Sequence, residues 1–174
     1  MKDLYDAAGQ RLPDRETPSA ERLRAYGDLM FLAFRSERHR QMSTATLQTY
    51  LEPPLELGQY RIFRFDDVPR GMYTWAWLDR SGERRLIRGD PLAPEDWRSG
   101  ERLWIIDLIA PYRGMTKSMV RFIMTPGNFT DKEFWFRRTR GVNDTQRILH
   151  VNFRDRKLAH VLRDSDFLPG RRRP

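Results

Sequence analysis

The chain has 174 residues, of which 39% are hydrophobic and 12% aromatic, so it is long and apolar enough for one folded domain. It has no cysteine, which excludes disulfides and thiolate chemistry, and no apolar run near the roughly 18 residues that a membrane-spanning helix needs. The 32 basic residues exceed the 24 acidic ones, which gives a net charge of +8, and only four of the basic residues are lysine. This excess of arginine favours an acidic or phosphorylated partner, although a genome rich in arginine codons explains the ratio equally well.

Composition divides the chain into three segments. Residues 1–16 are polar, do not resemble a signal peptide and are expected to form a flexible arm. Residues 17–165 are interpreted as a single domain, and residues 166–174 as a basic disordered tail. The absence of cysteine and of a signal peptide favours a cytoplasmic protein.

Two helices are predicted near the N-terminus. The first begins with Thr17 as its N-cap and Pro18 at the first helical position, and ends between Ser36 and His39. Its apolar face is formed by residues spaced three and four apart, namely Leu23, Tyr26, Met30, Ala33 and Phe34. The segment STATLQTYLEPP predicts a second short helix that its two prolines stop.

The apolar pattern then changes to that of strands. Two strands over 60–65 and 72–78 are predicted around a turn at Asp66–Gly71, and residues 90–101 form a loop or a short helix. The next segment, 103–110, reads as a strand buried on both faces, because six of its eight residues are aliphatic or alanine.

A break at Pro111–Gly114 precedes a helix over 115–124, and the segments EFWFRRTR and RILHVNFRD predict two more strands around a turn at Gly141–Asp144. This order of elements predicts an α+β fold with a mixed, mainly antiparallel sheet flanked by helices. The unit of buried strand, glycine-containing turn and helix could hold a phosphate-bearing ligand at the helix N-terminus.

Asp107 is unusual because it lies in the middle of the buried strand. An ionised carboxylate there is unfavourable unless it is paired or used chemically. One of the many arginines, or backbone amides, could satisfy it without any catalytic role.

Among the three histidines, His150 and His160 are interpreted as structural or surface residues. His39 follows the end of the first helix and is flanked by Arg38 and Arg40, cations that keep an imidazole neutral and so suit it to act as a base. A helix-capping role is the alternative for His39.

Common catalytic motifs are absent from the sequence. There is no G-x-S-x-G elbow, no Walker loop, no G-x-G-x-x-G, and no cluster of histidines or carboxylates with metal-ligand spacing. Neither a metal centre nor a nucleotide-hydrolysing enzyme is therefore expected.

Two segments together resemble one known family. SERHR is similar to the S-x-x-H-R element of the RTX toxin-activating (hemolysin-activating) lysine acyltransferases, and APEDWRSGERLWIIDLIAP is similar to their D-W-x-S-G-(D/E)-R-x-W-x-I-D-x-I-A-P segment. Between them, LEPPLELGQYRIFRFDDVPRGMYTWAWL resembles the family's P-x-x-x-x-Q-Y stretch and its hairpin. The resemblance covers residues from about 28 to 112 well and continues weakly to about 160.

The resemblance implies an activity and its components. Members of the family, cytoplasmic proteins of Gram-negative bacteria, transfer a fatty acyl chain from acyl-acyl carrier protein to the ε-amino group of internal lysines of a protoxin. No cofactor beyond this donor is implied, the fold is GNAT-like, and dimers are known. Motif by motif, the essential residues are His39 and Asp107, and the serine of the first element is Ser36.

These assignments predict that Asp107 ends a central strand at the catalytic cleft and faces His39. A lysine amine, with an unperturbed pKa near ~10.4, must lose a proton before it attacks a thioester, and a neutral His39 could take it. Asp107 would orient the imidazole and stabilise its charged form. A covalent acyl intermediate on His39 or Ser36 is the other possibility.

The carrier protein is acidic and bears a phosphopantetheine arm, so basic residues near the predicted turn are candidates for binding it. They are Arg113, Gly114 through its backbone amide, Lys117, Arg137, Arg138 and Arg140. Two other functions stay open: a GNAT-like transferase that uses acyl-CoA with a small amine or another protein, and a basic nucleic-acid-binding module. The second is disfavoured because most aromatic residues fall within predicted strands.

Overall fold

The computed structural model describes residues 4–12, 16, 18–140, 143–154 and 161–162. Its elements in chain order are α1 (Ala20–Ala33), a 3-10 turn (His39–Gln41), α2 (Thr44–Leu57), β1 (Tyr60–Phe65), β2 (Val68–Leu78), α3 (Arg80–Arg88), a second 3-10 turn (Pro94–Trp97), β3 (Arg102–Ile109), α4 (Met115–Ile123), β4 (Glu133–Arg140), β5 (Asp144–Asn152) and β6 (Val161–Leu162). His160 and the tail predicted over 166–174 lie outside the described residues, as does part of the predicted arm. Within the described part, no helix is long and apolar enough to cross a membrane.

The six strands form one sheet in the order β1-β2-β3-β4-β5-β6. The pairs β1–β2, β2–β3, β4–β5 and β5–β6 are antiparallel, whereas β3 and β4 run parallel. The α+β class with a mixed sheet is confirmed. The expectation of a mainly antiparallel sheet was wrong, because the two central strands are parallel. Helix α4 forms the crossover between β3 and β4, so that β4 runs in the same direction as β3.

Helices cover both faces of the sheet. One face, here called the front face, packs against α1, α2 and α3 through the side chains of Met72, Ala76, Trp104 and Ile109. The opposite face, here called the back face, packs against α4, whose Met115, Met119 and Ile123 are buried. Residues of β3 therefore alternate between two apolar layers, as the continuous apolar sequence of this strand predicts.

The alternation of β3 is interrupted by a bulge. Asp107 lies opposite Thr74 and Ile105 lies opposite Trp75, so Ile106 is an extra residue on β3. Ile105 and Leu108 both contact the back-face cluster although they are three positions apart. The bulge thus places Asp107 on the front face, whereas strict alternation from Ile105 would place it on the back face.

The first helix differs from its prediction. Ser19, not Thr17, is the N-cap, since its hydroxyl accepts a hydrogen bond from the backbone amide of Arg22, and the helix ends at Ala33 rather than near Ser36–His39. Leu23 and Phe34, assigned to the buried face, are 57% and 61% exposed. The face that packs on the sheet is formed by Ala25, Leu29, Leu32 and Ala33.

The second helix continues through Pro53 and Pro54 to Leu57. Its C-cap is Gly58, whose φ of 66° is the left-handed conformation that glycine adopts readily. The prediction that these prolines stop the helix was wrong. Burial of Pro54 and Leu55 against the core offsets the two backbone hydrogen bonds that the prolines cannot donate.

Two further differences concern β2 and α3. Asp66 and Asp67 both have positive φ and alone form the β1–β2 turn, so β2 begins at Val68 and not after Gly71. Helix α3 was not predicted, because its nine residues contain only two large apolar side chains. It is capped by the Asp79 carboxylate, which accepts from the amide of Gly82 at 2.8 Å.

Candidate active site

The segment between α1 and α2 holds His39 in a fixed position. The backbone amide of Arg40 donates to the carbonyl of Ser36, and the amide of Met42 donates to the carbonyl of His39, both at 3.0 Å. These bonds close the turn and direct the side chain of His39 toward the sheet, so that the residue is only 1% exposed. A histidine expected on a loop is thus a buried side chain facing the sheet.

Both ring nitrogens of His39 have partners. Nε2 lies 2.6 Å from Oδ2 of Asp107, and Nδ1 lies 2.7 Å from the hydroxyl oxygen of Ser36. An ionised carboxylate can only accept a hydrogen bond, so Nε2 carries the proton that it donates to Asp107. In the neutral ring Nδ1 then has no proton and accepts from the Ser36 hydroxyl. The three predicted residues therefore form one hydrogen-bonded chain, Asp107–His39–Ser36.

Asp107 is buried yet fully hydrogen-bonded. Oδ1 accepts from Arg38 and from the backbone amide of Leu108, each at 2.8 Å, and Oδ2 bonds to His39. Burial by itself raises the pKa of the Asp107 carboxyl, but its hydrogen bond and electrostatic interaction with His39, the charge of Arg38, and the Leu108 amide outweigh burial and hold this pKa at about 2. The carboxylate is therefore ionised at neutral pH and available to orient the imidazole.

An open cleft of about 220 Å³ lies beside Asp107, where β3 and β4 separate. The two strands pair only at Trp104 with Trp135 and at Ile105 with Phe136, whereas each continues to pair with its outer neighbour beyond this point. Most of the lining is apolar and comes from β3, α4 and β4: Ile105, Ile106, Leu108, Val120, Ile123, Met124, Phe134 and Phe136. The polar side chains that line it are Arg38, Asp107, Arg137 and Thr139.

Arg137, one of the predicted donor-binding residues, lines this cleft. Its guanidinium donates to the carbonyl of Leu86 at 2.7 Å and to the side-chain oxygen of Asn143 at 3.0 Å. Asn143 in turn donates to the hydroxyl of Tyr50 and to the carbonyl of Gly89. Burial lowers the pKa of Arg137, and the network holds the cation rigidly against α2 and α3.

The other predicted donor-binding residues lie elsewhere. Gly114 is the N-cap of α4, with a φ of 80°, and Arg113 and Lys117 are exposed on either side of it. None of these three described residues lines the cleft, and Arg138 and Arg140 are exposed on β4. Their role in binding a donor stays a prediction.

His150 takes no part in this site. Its ring stacks on Trp135, with a centroid distance of 4.3 Å, and Nε2 lies 2.9 Å from a carboxylate oxygen of Glu133. These contacts fit the structural interpretation of this residue. Among the described residues, no three side chains of histidine, aspartate or glutamate come together as a metal site.

Sequence reasoning treated Arg38 only as a cation next to His39. The structure adds that Arg38 both contacts the Asp107 carboxylate and lines the cleft. The only signal in the sequence was its position inside the S-x-x-H element, and an arginine in a loop carries no periodicity from which a partner 69 residues away can be inferred.

Comparison with known proteins links this site to one family. A sequence profile of the RTX toxin acyltransferase family matches residues 19–152, a range that includes Ser36, His39 and Asp107. Protein-lysine palmitoyltransferase CyaC of Bordetella bronchiseptica is 34% identical over 106 residues, which are 58% of this chain and 57% of the relative.

Two other relatives match shorter segments. Leukotoxin-activating lysine-acyltransferase LktC of a Pasteurella haemolytica-like species is 37% identical over 87 residues, or 49% of this chain and 53% of the relative. RTX-II toxin-activating lysine-acyltransferase ApxIIC of Actinobacillus pleuropneumoniae is 34% identical over 87 residues, which are 49% of this chain and 54% of the relative. In these matches the chain spans somewhat more than half the length of each relative. Because the family profile covers most of the chain, this protein belongs to the RTX toxin acyltransferase family.

Proposed function

We propose that this protein is a protein-lysine acyltransferase that transfers a fatty acyl chain from acyl-acyl carrier protein to the ε-amino group of lysines in an RTX-type protoxin. The main support is the hydrogen-bonded chain Asp107–His39–Ser36, whose Asp107 lines a largely apolar cleft, in a member of this family. A β-sheet whose central parallel strands separate to form such a cleft supports the GNAT-like fold that the sequence resemblance implied.

The proposed reaction begins with deprotonation of the lysine. The ε-ammonium gives up a proton, and its nitrogen then attacks the thioester carbonyl carbon. His39 accepts this first proton, and Asp107 stabilises the imidazolium that results. The C–N bond forms and the C–S bond breaks, and the second proton that the nitrogen loses on becoming an amide goes to the departing thiolate of the carrier.

Burial of His39 indicates how the proton reaches it. The ring is 1% exposed and its Nδ1 is already hydrogen-bonded to Ser36, whereas Ser36 is only partly buried. The Ser36 hydroxyl is therefore the accessible end of the chain. In our proposal, Ser36 receives the amine proton while it passes its own proton to His39. An acyl-enzyme formed on Ser36 is the alternative use of the same geometry.

The cleft is the proposed site of the acyl thioester. Its apolar walls on β3, α4 and β4 suit methylene groups, whose burial stabilises by about 0.8 kcal/mol each. Its polar side chains include Asp107 and Arg38, which are in direct contact. An acyl chain that lies along the cleft with its carbonyl at this polar part would therefore bring the reactive carbon next to Asp107, the member of the hydrogen-bonded chain that lines the cleft.

Docking of the acidic carrier is assigned to the exposed cations near the start of α4, Arg113 and Lys117. The charge reversals Arg113→Glu and Lys117→Glu should weaken carrier binding, and added salt should weaken binding to the unaltered protein. Arg84, exposed on α3 across the sheet, provides the matched control reversal. Equal loss of binding in the control would show that net charge alone, and not this surface, attracts the carrier.

The experiment that tests the proposed function is an intact-mass assay. The purified protein is mixed with a candidate protoxin and either acyl carrier proteins loaded with chains of several lengths or the corresponding acyl-CoA thioesters. Acyl mass on acceptor lysines with the carrier-bound donor supports the proposal. A clear preference for acyl-CoA, or for a small amine acceptor, would replace it with the acyl-CoA alternative.

A further inference from the structure

Arg38 occupies a position between the hydrogen-bonded chain and the cleft. Its guanidinium lies 2.8 Å from Oδ1 of Asp107, while the neighbouring residue His39 lies 2.6 Å from Oδ2. Two successive side chains of one turn thus bind the two oxygens of a single carboxylate. Because Asp107 is part of β3, this double contact fastens the turn to the central strand.

The geometry of the carboxylate explains why two contacts are needed. A carboxylate held at one oxygen rotates about its Cβ–Cγ bond, since this terminal torsion has a broad energy minimum. Arg38 and the backbone amide of Leu108 both bond to Oδ1, which leaves Oδ2 directed at the imidazole. The arginine therefore restricts the one rotation that would break the bond between Asp107 and His39.

We propose that Arg38 is a positioning residue that holds the Asp107 carboxylate toward His39. This role rests on the proposed function, because it concerns the same acid–base pair. It extends the family resemblance, whose S-x-x-H-R element leaves the position of Arg38 unspecified.

Charged and titratable groups from several elements surround the pair formed by His39 and Asp107. Asp107 approaches His39 from β3, Arg38 comes from the same turn as His39, and Arg137 of β4 interacts electrostatically with both Asp107 and Arg38. Tyr50 of α2 interacts with Arg137 and is one step further away. Arg38 is the cation that shares the carboxylate with His39, so its removal should have the largest effect on the ring.

The first test needs no substrate. The proton that Nε2 of His39 donates to Asp107 is followed by NMR in the unaltered protein, in Arg38→Met and in Arg35→Met. Arg35 is an exposed cation three residues away whose contacts are with Phe31, so it controls for the loss of one charge. Loss of Arg38 should let the Asp107 carboxylate rotate and weaken this hydrogen bond, which moves the proton resonance upfield, with a much smaller change in the control.

The second test is kinetic. If Arg38 acts through Asp107, Arg38→Met should lower kcat about tenfold, with KM for the donor little changed. Arg38→Lys keeps the charge but loses the planar fork, so it should restore part of the lost kcat. This conservative variant also serves if the methionine variant folds poorly.

The outcomes separate the two proposals. An unchanged Nε2 proton resonance of His39 in Arg38→Met, or a rise in KM for the donor with kcat unchanged, would overturn the positioning role. The latter result would make Arg38 a donor-binding residue. Absence of acyl transfer by the unaltered protein with every donor would instead contradict the proposed function, while the NMR measurement would still decide whether Arg38 holds Asp107 toward His39.

Discussion

Nε2 of His39 lies 2.6 Å from Oδ2 of Asp107, although the two residues are 68 positions apart in the chain. The contact joins the turn after α1 to the central strand β3, and it forms on the front face of the sheet because the bulge at Ile106 directs Asp107 there. A buried carboxylate in an apolar strand is therefore paired, and its pairing with an imidazole and a hydroxyl has the order found in acid–base catalysis.

Acid should remove the stability that Asp107 provides. Its pKa in the folded protein is about 2, below the ordinary value of 3.8, so the contribution is complete above about pH 4 and is lost as pH falls through 2. The shift corresponds to about 2 kcal/mol of unfolding free energy. The difference in unfolding free energy between the unaltered protein and Asp107→Asn should narrow by this amount between pH 5 and pH 2.

Urea denaturation at a series of pH values measures this difference. Asp131→Asn, which alters an exposed carboxylate, is the control and should show no such narrowing. A gap between unaltered protein and Asp107→Asn that stays constant down to pH 2 would show that the ionised carboxylate does not stabilise the fold.

Removal of the Ser36 hydroxyl should slow transfer even though His39 and Asp107 are unchanged. Proton transfer by a positioned group contributes about 10²–10⁴ to the rate, so Ser36→Ala should lower kcat by about 100-fold. Ser43→Ala is a control that deletes another serine hydroxyl of the same region, the one that caps α2, and should affect stability more than kcat. Near-normal turnover by Ser36→Ala would mean that the amine reaches His39 directly.

Narrowing the cleft should change which acyl chains are used. Val120 lines the cleft and is 44% exposed, so the larger side chain of Val120→Trp should fill part of the space without entering the core. We expect kcat/KM to fall most for the longest chains, because each excluded methylene forfeits about 0.8 kcal/mol of burial. Thr116→Trp places the same side chain at an exposed position of α4 outside the cleft. If both variants treat all chain lengths alike, the acyl chain binds elsewhere.

The contact between β2 and α4 should be sensitive to the size of residue 71. A methyl group at Gly71 would lie 2.5 Å from the sulfur of Met119 and 3.2 Å from the carbonyl oxygen of Ile109. Gly71→Ala should therefore push α4 away from the sheet and lower the unfolding free energy by about 1–3 kcal/mol. Gly27→Ala, on α1 with open space around it, should be neutral or stabilising by up to about 1 kcal/mol. Equal stability of the two variants in urea would contradict this packing.

Local patterns predicted the elements that depend on local physics. The apolar run at β3 and the spacing of Met115, Met119 and Ile123 in α4 were sufficient, because burial of these side chains decides both elements. Pro53 and Pro54 misled the prediction of α2, since tertiary packing of Pro54 outweighs the local preference. The parallel pairing of β3 with β4 could not be predicted either, because register between distant strands leaves no periodic trace.

The site was predictable only in part. Ser36, His39 and Asp107 were identified from the resemblance of two motifs, and the structure brings the three together. The fit of Arg38 to the second carboxylate oxygen depends on a bulge in β3 and on a short turn, neither of which changes the hydrophobic pattern. The cleft likewise arises because β3 and β4 separate after two paired positions, Trp104 with Trp135 and Ile105 with Phe136. This separation depends on the whole sheet and cannot be inferred from a local pattern.

The most direct measurement is the mass of an acceptor protoxin after incubation with acyl-acyl carrier protein and either the unaltered protein, His39→Ala or Asp107→Asn. His150→Ala is the matched control, because this histidine also bonds to a carboxylate but lies outside the site. We expect acyl mass on acceptor lysines with the unaltered protein and the control, and a loss of at least about 100-fold in rate with the two site variants. Transfer at the normal rate by Asp107→Asn would contradict it.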